Sequence, residues 1–247
     1  MKAMILAAGL GTRLRPLTYQ RPKALVEIGG RTLLEIVLAR LRAFGVREVI
    51  LNVHHFADMI VDYLYSNNNF GMHIEISREA ARLDTGGGLK KAAPFFLRDG
   101  PGAQEPFLLH NVDILSTLDL ARLAQFHRDR RALASLAVRH RPTHRYLLFD
   151  GGLELCGRRL GRDGKNELVR PAAAPQALAF SCIHAISPRL LSLMTEEGAF
   201  SIIDCYLRLA AQGEKILAYR DDACYWRDLG RPEDVAQAEQ DRLEKRW

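Results

Sequence analysis

Apolar and polar positions follow two different periods along this chain, so that strand-like and helix-like segments alternate. Residues 4–8 (MILAA) form a short continuous apolar run, which is typical of a buried parallel strand. Residues 32–44 carry apolar side chains at helical spacing, and Gly45 is a stop signal for that helix. The alternation continues with a strand, a helix and a strand at residues 48–53, 57–65 and 73–77. This order predicts a doubly wound α/β sheet.

The pattern changes further along the chain. A glycine turn (TGGG) opens a helix predicted over residues 85–93, and residues 107–110 predict a buried strand that ends close to Asp113. After residues 132–138 the segments become short and turn signals appear at residues 150–152 and 163–164, which indicates antiparallel strands. A later strand and two helices are predicted at residues 176–186, 202–211 and 231–246. We expect an α/β fold with a Rossmann-like doubly wound mixed sheet, in a single domain over residues 1–247.

Composition narrows the class of protein. The 247 residues are 48% apolar, which is enough for a well-buried core. No stretch approaches the roughly 18 apolar residues of a membrane span, and the first apolar run is too short for a signal peptide. The four cysteines are widely spaced without a CxxC pair, so neither a disulfide framework nor a zinc site is indicated. We expect a cytoplasmic protein.

The formal net charge of +6 first suggests a nucleic-acid partner. The basic residues are scattered, however, and no long Lys/Arg run or basic stripe with interleaved aromatics is present. We therefore expect neither nucleic acid nor membrane as a partner. Two interpretations remain, a solvated basic surface and a pocket for a polyanionic small molecule, because cationic clefts concentrate phosphates.

A loop rich in glycine and cations follows the first strand. Gly9 and Gly11 have no side chains, so the backbone there can approach a ligand closely and direct N–H groups at phosphate oxygens. A dinucleotide fingerprint would need glycine in place of Leu14, and a Walker loop would need Gly-Lys-Ser/Thr where the chain has Gly11-Thr12-Arg13. The turn alone leaves a structural and a functional interpretation equally open.

A longer motif surrounds this loop. Residues 6–13 (LAAGLGTR), Pro16-Leu17-Thr18 and Pro22-Lys23 together resemble the signature of the sugar-1-phosphate nucleotidyltransferases, also called nucleotide-sugar pyrophosphorylases. Asp113 is similar to the family's first metal-binding aspartate, and Trp226-Arg227-Asp228-Leu229-Gly230 is similar to its closing W-x-D-x-G segment. The resemblance implies a glycosyltransferase A-like nucleotidyltransferase fold without a C-terminal β-helix. It also implies a nucleotide-binding part at about residues 1–138 and a sugar-binding part at about 139–247.

The resemblance further implies a reaction, in which an oxygen of a sugar 1-phosphate attacks the α-phosphorus of a nucleoside triphosphate and pyrophosphate leaves. Asp113 and Asp228 would share Mg²⁺, Arg13 would stabilise the departing pyrophosphate, and Lys23 would hold the phosphates being joined. The catalytic residues would be Arg13, Lys23 and Asp113. The nucleotide would be bound by Ala7, Ala8, Gly9, Gly11, Thr12, Arg13, Lys23, Glu79, Thr85, Gly86 and Gly87.

Glu79, after the third predicted strand, is the candidate for recognising the base. An ionised carboxylate only accepts hydrogen bonds, so Glu79 suits the N–H groups of uracil or guanine and not the N3 acceptor of cytosine, which favours UTP, then GTP. On the sugar side we expect Asn111, Arg145, Ser181 and Cys182. Cys182 stands where relatives commonly have glycine, and its simplest interpretation is a small buried residue. The family's Glu-Lys-Pro segment is missing after residue 140, and the candidates to replace its lysine are Arg139, Arg141 and Arg145.

Several functions stay open at this stage. The chain most resembles the uridylyltransferases that activate N-acetylmuramate 1-phosphate in cell-wall recycling, and the carboxylate of that sugar would suit the arginine-rich segment. Mannose- and heptose-phosphate guanylyltransferases are the alternatives within the family. A catalytically silent regulatory subunit that binds nucleotide sugars is the alternative outside enzymes. The His54-His55 pair is not expected to bind a metal, because neighbouring residues at a strand end point apart.

Overall fold

The structure is a computed structural model that describes residues 1–98, 100, 105–161 and 164–247. The turn predicted at residues 163–164 therefore lies partly outside the described residues. Within the described part of the chain, no helix is long and apolar enough to cross a membrane.

In chain order the strands are β1 (Lys2–Leu6), β2 (Glu27–Ile28), β3 (Arg31–Thr32), β4 (Glu48–Val53), β5 (His73–Arg78), β6 (Phe107–Asn111), β7 (Ile114–Ser116), β8 (Ala134–Arg139), β9 (Arg145–Phe149), β10 (Leu155–Leu160), β11 (Asn166–Leu168), β12 (Gln176–Ile186), β13 (Ile216–Arg220) and β14 (Trp226–Asp228). The α-helices are α1 (Leu33–Ala43), α2 (Ala57–Ser66), α3 (Asp84–Leu97), α4 (Leu120–Arg130), α5 (Arg189–Leu193), α6 (Ile202–Ala211) and α7 (Pro232–Leu243).

The chain divides into two compact units, of which the first contains Met1–Leu83, His110–Leu120 and Cys224–Trp247. In this unit β1 pairs in parallel with β4, and β4 pairs in parallel with β5. The central residues of β1 and all but the first residue of β4 are buried, as expected for parallel strands that are covered on both faces. The carboxyl ends of the three strands therefore lie side by side.

Helix α1 shows how the sequence specifies an element of this unit. Thr32 caps its N-terminus, because the Thr32 hydroxyl accepts a hydrogen bond from the N–H of Glu35 (3.1 Å). Gly45 follows its end with φ +82°, a conformation that favours glycine. Each fully buried aliphatic side chain contributes about 1.5–3 kcal/mol relative to an exposed one. On α1 the buried residues are Leu33, Leu34, Val37, Leu38 and Leu41.

The second unit contains Asp84–Leu109 and Ala121–Ala223. Its sheet is mixed, since β8 is antiparallel to β12 on one side and parallel to β13 on the other. Strands β9, β10 and β11 extend this sheet from β12 through antiparallel pairings. The carboxyl ends of β8 and β13 are neighbours, with Arg220 opposite Val138.

The predicted α/β class with parallel and antiparallel strands is confirmed, and the predicted strands and helices end within about four residues of the observed ones. One prediction is wrong. Residues 85–88 do not form a turn ahead of a helix, because α3 begins at Asp84 and contains all three glycines. A Cβ on Gly86 would lie 2.3 Å from the ring of Phe200, so Gly86 is required for close packing inside the helix.

Candidate active site

The loop after β1 is shaped by Gly11. Gly11 has φ +64°, a left-handed conformation that residues with a Cβ rarely adopt. A Cβ on Gly11 would also lie 3.0 Å from Cγ2 of Thr18 and 3.3 Å from Cβ of Lys23. The Thr18 hydroxyl donates a hydrogen bond to the carbonyl of Gly11 (2.7 Å), which ties the loop together. At Gly9, by contrast, a Cβ would meet no atom within 4 Å, so there is open space beside this backbone.

Lys23 and Asp113 lie at the centre of the candidate site. Lys23 belongs to a short 3₁₀ turn and is only 8% exposed. Its ammonium is paired with the carboxylate of Asp113. The N–H of Val112 donates a hydrogen bond to the carbonyl of Leu6 (3.1 Å), and this bond fixes Asp113 beside the end of β1. A buried ammonium without a partner would be costly, so the pairing holds both charges in place.

Asp228 reaches the same place through a pair of short strands. Strand β14 runs antiparallel to β7 with Asp228 opposite Ile114, and the N–H of Leu229 donates to the carbonyl of Asp113 (2.9 Å). Burial raises the pKa of the Asp228 carboxyl and the negative charge of Asp113 raises it further, while the charges of Lys23 and Arg13 act in the opposite direction. Oδ1 of Asp228 is buried and accepts no hydrogen bond from any described residue.

Helix α7 holds the strand that carries Asp228. Asp241 on α7 is fully buried and accepts hydrogen bonds from Nε (3.0 Å) and Nη2 (2.8 Å) of Arg227. The phenol of Tyr225 donates to the same carboxylate oxygen (2.8 Å). Because Arg227 precedes Asp228 directly, this cluster fixes the backbone of β14.

Arg13 lies against Gly230, the last residue of the W-x-D-x-G segment. Arg13 is exposed and belongs to the 3₁₀ turn Thr12–Leu14. A Cβ on Gly230 would lie 3.0 Å from Nη2 and 3.2 Å from Cζ of Arg13, so the guanidinium uses the space that glycine leaves. Its positive charge partly opposes the rise in the pKa of the Asp228 carboxyl. The first unit thus brings together Arg13, Lys23, Asp113 and Asp228, the four residues that the sequence singled out for phosphate and metal.

The two aspartates provide the ligand type that Mg²⁺ prefers. Mg²⁺ is usually held by one or two carboxylates together with substrate phosphates and water. The buried Oδ1 of Asp228 and the carboxylate of Asp113 are hard oxygen donors of this kind. Over residues 1–98, 100, 105–161 and 164–247 no group of three or more His, Cys, Asp or Glu side chains could hold a metal. As hard oxygen donors, the carboxylates of Asp113 and Asp228 would suit a Mg²⁺ ion, and other ligands would have to complete its coordination.

Glu79, Asn52 and the N–H of Ala7 form a buried network behind the glycine loop, which we call the Glu79 bracket. Nδ2 of Asn52 donates to Oε1 of Glu79 (2.7 Å), and the N–H of Ala7 donates to Oδ1 of Asn52 (2.7 Å). The N–H of Leu83 donates to Oε2 of Glu79 (2.9 Å). Each oxygen of the Glu79 carboxylate thus has one protein donor, and the contact of Glu79 with a base stays a prediction that uses the remaining lone pairs. Asn52 is not among the predicted site residues, although a polar residue inside the apolar strand EVILNV is a visible signal in the sequence.

The nucleotide-binding residues predicted on α3 already have internal partners. The N–H groups of Gly86 and Gly87 donate to the carbonyl of Phe200 (2.9 and 3.4 Å). The hydroxyl of Thr85 accepts from the N–H of Ile202 (3.0 Å). The first two bonds satisfy N–H donors at the start of α3, and the third satisfies the N–H of Ile202 at the start of α6. Contact of Thr85, Gly86 and Gly87 with a nucleotide stays a prediction.

The residues predicted for the sugar are distributed over both units. Asn111 ends β6 in the first unit, and Arg145 is exposed at the start of β9 in the second. Ser181 is fully buried, and Cys182 has φ +59°. Both lie in β12 where its pairing with β8 changes register, between Phe180 and His184. Such an irregularity redirects side chains and is common next to binding sites.

Comparison with known proteins decides the family. The family model described as "Nucleotidyl transferase" matches residues 2–147. The chain belongs to the nucleotidyl transferase family. A mannose-1-phosphate guanyltransferase of Yarrowia lipolytica is 29% identical over 240 residues, which cover 95% of this chain and 62% of that protein. An N-acetylmuramate alpha-1-phosphate uridylyltransferase of Caulobacter vibrioides is 49% identical over 102 residues, which cover 40% of this chain and 42% of that protein.

The matches to these two curated relatives thus span less than two thirds of the relatives' own lengths. Among solved structures, a UDP-glucose pyrophosphorylase from Acinetobacter baumanii superposes with a TM-score of 0.79, over 98% of this chain and 93% of that one. Its sequence identity is 19%, so this likeness concerns the fold alone. It confirms the nucleotidyltransferase fold that the motif implied.

Proposed function

We propose that this nucleotidyl transferase moves a nucleoside monophosphate from a nucleoside triphosphate to a sugar 1-phosphate and releases pyrophosphate. The observation that carries the proposal is the convergence of Arg13, Lys23, Asp113 and Asp228 in one unit. The reaction joins two phosphate-bearing substrates, so it requires cations that neutralise phosphate and carboxylates that hold a metal. The site contains both kinds of group.

The chemistry depends on positioning and charge more than on proton transfer. The attacking oxygen of a sugar 1-phosphate is already anionic, so neither a general base nor a covalent nucleophile is needed. In this proposal the backbone N–H groups at Gly9 and Gly11 face the triphosphate, Arg13 neutralises the departing pyrophosphate, and Lys23 holds the phosphates being joined. Mg²⁺, when held by Asp113 and Asp228, supplies further positive charge to the phosphates.

The proposed nucleotide is UTP, with GTP as the second choice. The Glu79 bracket leaves carboxylate lone pairs that accept hydrogen bonds from an N–H of uracil or guanine. A carboxylate cannot donate to N3 of cytosine, so CTP is expected to be a poor substrate.

The proposed sugar is N-acetylmuramate 1-phosphate, used in the cytoplasm for cell-wall recycling. The 49% identity to the Caulobacter uridylyltransferase supports this choice, and so do Arg141 and Arg145, which suit the carboxylate of this sugar. The second candidate is mannose 1-phosphate with GTP, which the longer match to the Yarrowia guanyltransferase supports. A catalytically silent regulatory subunit has less support, because all four charged residues of the site are present.

A pyrophosphate-release assay with Mg²⁺ tests these proposals. The purified protein is given UTP, GTP or CTP, each with N-acetylmuramate 1-phosphate, N-acetylglucosamine 1-phosphate, glucose 1-phosphate or mannose 1-phosphate, and Asp113→Asn serves as the inactive control. We expect the highest kcat/KM for UTP with N-acetylmuramate 1-phosphate. Faster turnover of GTP with mannose 1-phosphate would favour the second candidate. Nucleotide-sugar binding without pyrophosphate release from any pair would contradict the enzyme and favour the regulatory subunit.

A further inference from the structure

Asp221 in the second unit has no part in the site described above, yet its carboxylate is buried. It is 1% exposed, and neither carboxylate oxygen accepts a hydrogen bond of normal geometry from a described residue. Burial raises the pKa of this carboxyl, while the nearby Ser181 hydroxyl and Arg139 guanidinium favour its charged form. Buried polar groups are nearly always hydrogen-bonded, so such a carboxylate indicates a role beyond packing.

Asp221 and Arg139 lie at the ends of two neighbouring parallel strands. Strand β8 ends at Arg139, and Asp221 follows β13 and donates its N–H to the carbonyl of Val138 (2.9 Å). Ligands of α/β proteins bind beyond the carboxyl ends of parallel strands. Nε of Arg139 lies 3.8 Å from Oδ1 of Asp221, and 14% of the Arg139 side chain is exposed. The guanidinium of Arg139, which is only partly exposed, thus lies at the carboxyl end of β8, where a ligand is expected.

The adjacent part of β12 is irregular. Cys182 has φ +59°, and the pairing of β12 with β8 shifts between Phe180 and His184. Nη2 of Arg141 donates to the carbonyl of Phe180 (3.2 Å) at the start of this irregularity. Strained residues and bulges concentrate at binding sites, where they redirect side chains. The irregular segment, Arg139 and Asp221 together outline one polar region of the second unit.

We propose that Asp221 is a positioning residue that orients the guanidinium of Arg139 to bind the phosphate of the sugar 1-phosphate. The proposal rests on the proposed function. Asp221 is too deeply buried to touch a substrate, so it acts through Arg139. The long side chain of arginine loses conformational entropy when a ligand fixes it, so an ion pair that already restricts the side chain reduces this loss on binding. A guanidinium oriented in this way can donate two parallel N–H groups to a phosphate.

This assignment separates the three arginines that are candidates for the missing lysine. Arg145 is exposed at the start of β9, and Arg141 donates to the backbone carbonyls of Phe180 and Pro142. Arg139 also donates to a backbone carbonyl, that of Asp222 (3.4 Å), and its ion pair with the buried carboxylate of Asp221 is the contact that favours it. Arg139 is therefore the arginine assigned to the phosphate.

Steady-state kinetics of single variants test the proposal. Loss of a hydrogen bond to a charged group typically weakens binding about ten- to hundredfold, so Arg139→Ala should raise KM for the sugar 1-phosphate by this factor. Asp221→Asn should raise the same KM about tenfold. The KM for UTP should stay within about twofold in both variants. Asp129→Asn is the control, because Asp129 is an exposed aspartate of the same unit that accepts a hydrogen bond from Nε2 of Gln125 (2.6 Å).

A double-variant cycle distinguishes positioning from a general structural effect. If Asp221 acts through Arg139, then Arg139→Gln and the pair Arg139→Gln with Asp221→Asn should have the same KM for the sugar 1-phosphate. This comparison also serves if Asp221→Asn alone does not fold, because the pair removes both charges together. A further rise in KM in the double variant would overturn the proposal, as would an unchanged KM in Arg139→Ala.

Direct binding keeps the two proposals separate. Calorimetry measures binding of N-acetylmuramate 1-phosphate, with glucose 1-phosphate and mannose 1-phosphate as further probes, to the wild type and to Arg139→Ala. Weaker binding to the variant supports the role of Arg139 even if the wild type releases no pyrophosphate, a result that would contradict only the proposed function. Equal binding to both proteins, together with normal turnover, would contradict the role of Arg139 and leave the proposed function intact.

Discussion

Replacing Gly230 with alanine tests the orientation of Arg13 without removing any charged group. A Cβ on Gly230 would lie 3.0 Å from Nη2, 3.2 Å from Cζ and 3.3 Å from Nη1 of Arg13. Ordinary contacts between carbon and neighbouring heavy atoms are about 3.5–4.0 Å, so the guanidinium must move by roughly 0.5–1 Å. Gly230 has no left-handed φ, so alanine introduces no backbone strain there.

The expected cost follows from this displacement. A shift of about 1 Å in a catalytic group can lower the rate about 100-fold, so we expect Gly230→Ala to lower kcat about 10- to 100-fold, equivalent to about 1.4–2.7 kcal/mol. The melting temperature should change little, because the end of a flexible side chain can give way. The KM values should change less than kcat if Arg13 stabilises the departing pyrophosphate more than the bound substrates.

The assay is pyrophosphate release under saturating substrate, with thermal unfolding measured in parallel. Gly151→Ala is the matched control, because Gly151 lies in an exposed turn with no atom within 4 Å of an added Cβ. Arg13→Ala gives the lower limit of activity. If Gly230→Ala keeps kcat within about twofold of the wild type while Arg13→Ala loses most of it, then Gly230 does not set the position of Arg13 and the reasoning is refuted.

Three further predictions concern the metal, backbone strain and acid stability. Asp228→Asn should lower turnover by more than about 100-fold, which exceeds the usual effect of losing a residue that only supports a metal ligand. The melting temperature should stay equal or rise, because the substitution removes a buried carboxylate. Normal turnover in this variant would remove Asp228 from the metal site. Cys182→Gly should raise the free energy of unfolding in urea by about 1 kcal/mol, because Cys182 has φ +59°, a left-handed conformation that strains a residue with a Cβ. A lower free energy of unfolding would show that the contacts of the Cys182 side chain outweigh this strain. Burial lowers the pKa of His127 to about 4, so between pH 6.5 and 4 this histidine is protonated in the unfolded protein but largely neutral in the folded one. The free energy of unfolding should therefore fall by about 1–3 kcal/mol as the pH is lowered through this range. In His127→Gln this part of the pH dependence should be absent, and an unchanged slope would assign the acid lability to other groups.

Elements with a strong period could be predicted from the sequence alone. Residues 48–53, 176–186 and 202–211 were predicted with the observed ends, because their apolar runs or helical spacing are bounded by clear breaks. The glycines of α3 misled the prediction, since a run of three glycines normally indicates a turn. The reason for Gly86 is the ring of Phe200, which lies more than 100 residues away in the chain, and local propensity contains no information about such a contact.

The candidate site was predictable in its residue types but not in its geometry. The motif identified Arg13 and Lys23, whereas the meeting of Asp113 and Asp228 depends on two three-residue strands, β7 and β14, that pair across more than 100 residues. A strand of three residues has almost no period, so neither its existence nor its register can be inferred from sequence.

The same limit applies to the groups that hold the site in place. In the sequence Asn52 is a single polar residue in an apolar strand, and Asp241 is one residue of the polar run 239–242. The role of Asn52 depends on hydrogen bonds with Ala7 and Glu79, and the role of Asp241 depends on hydrogen bonds from Tyr225 and Arg227. These bonds exist because burial removes water as the alternative partner, so each buried polar group must find a donor or acceptor in the fold. A fold that brings four charged residues together must also provide hydrogen-bond partners for the buried polar groups that support them. Substitutions at Asn52 or Asp241 should therefore alter the position of Ala7 or Asp228 even though neither residue lies at the phosphates.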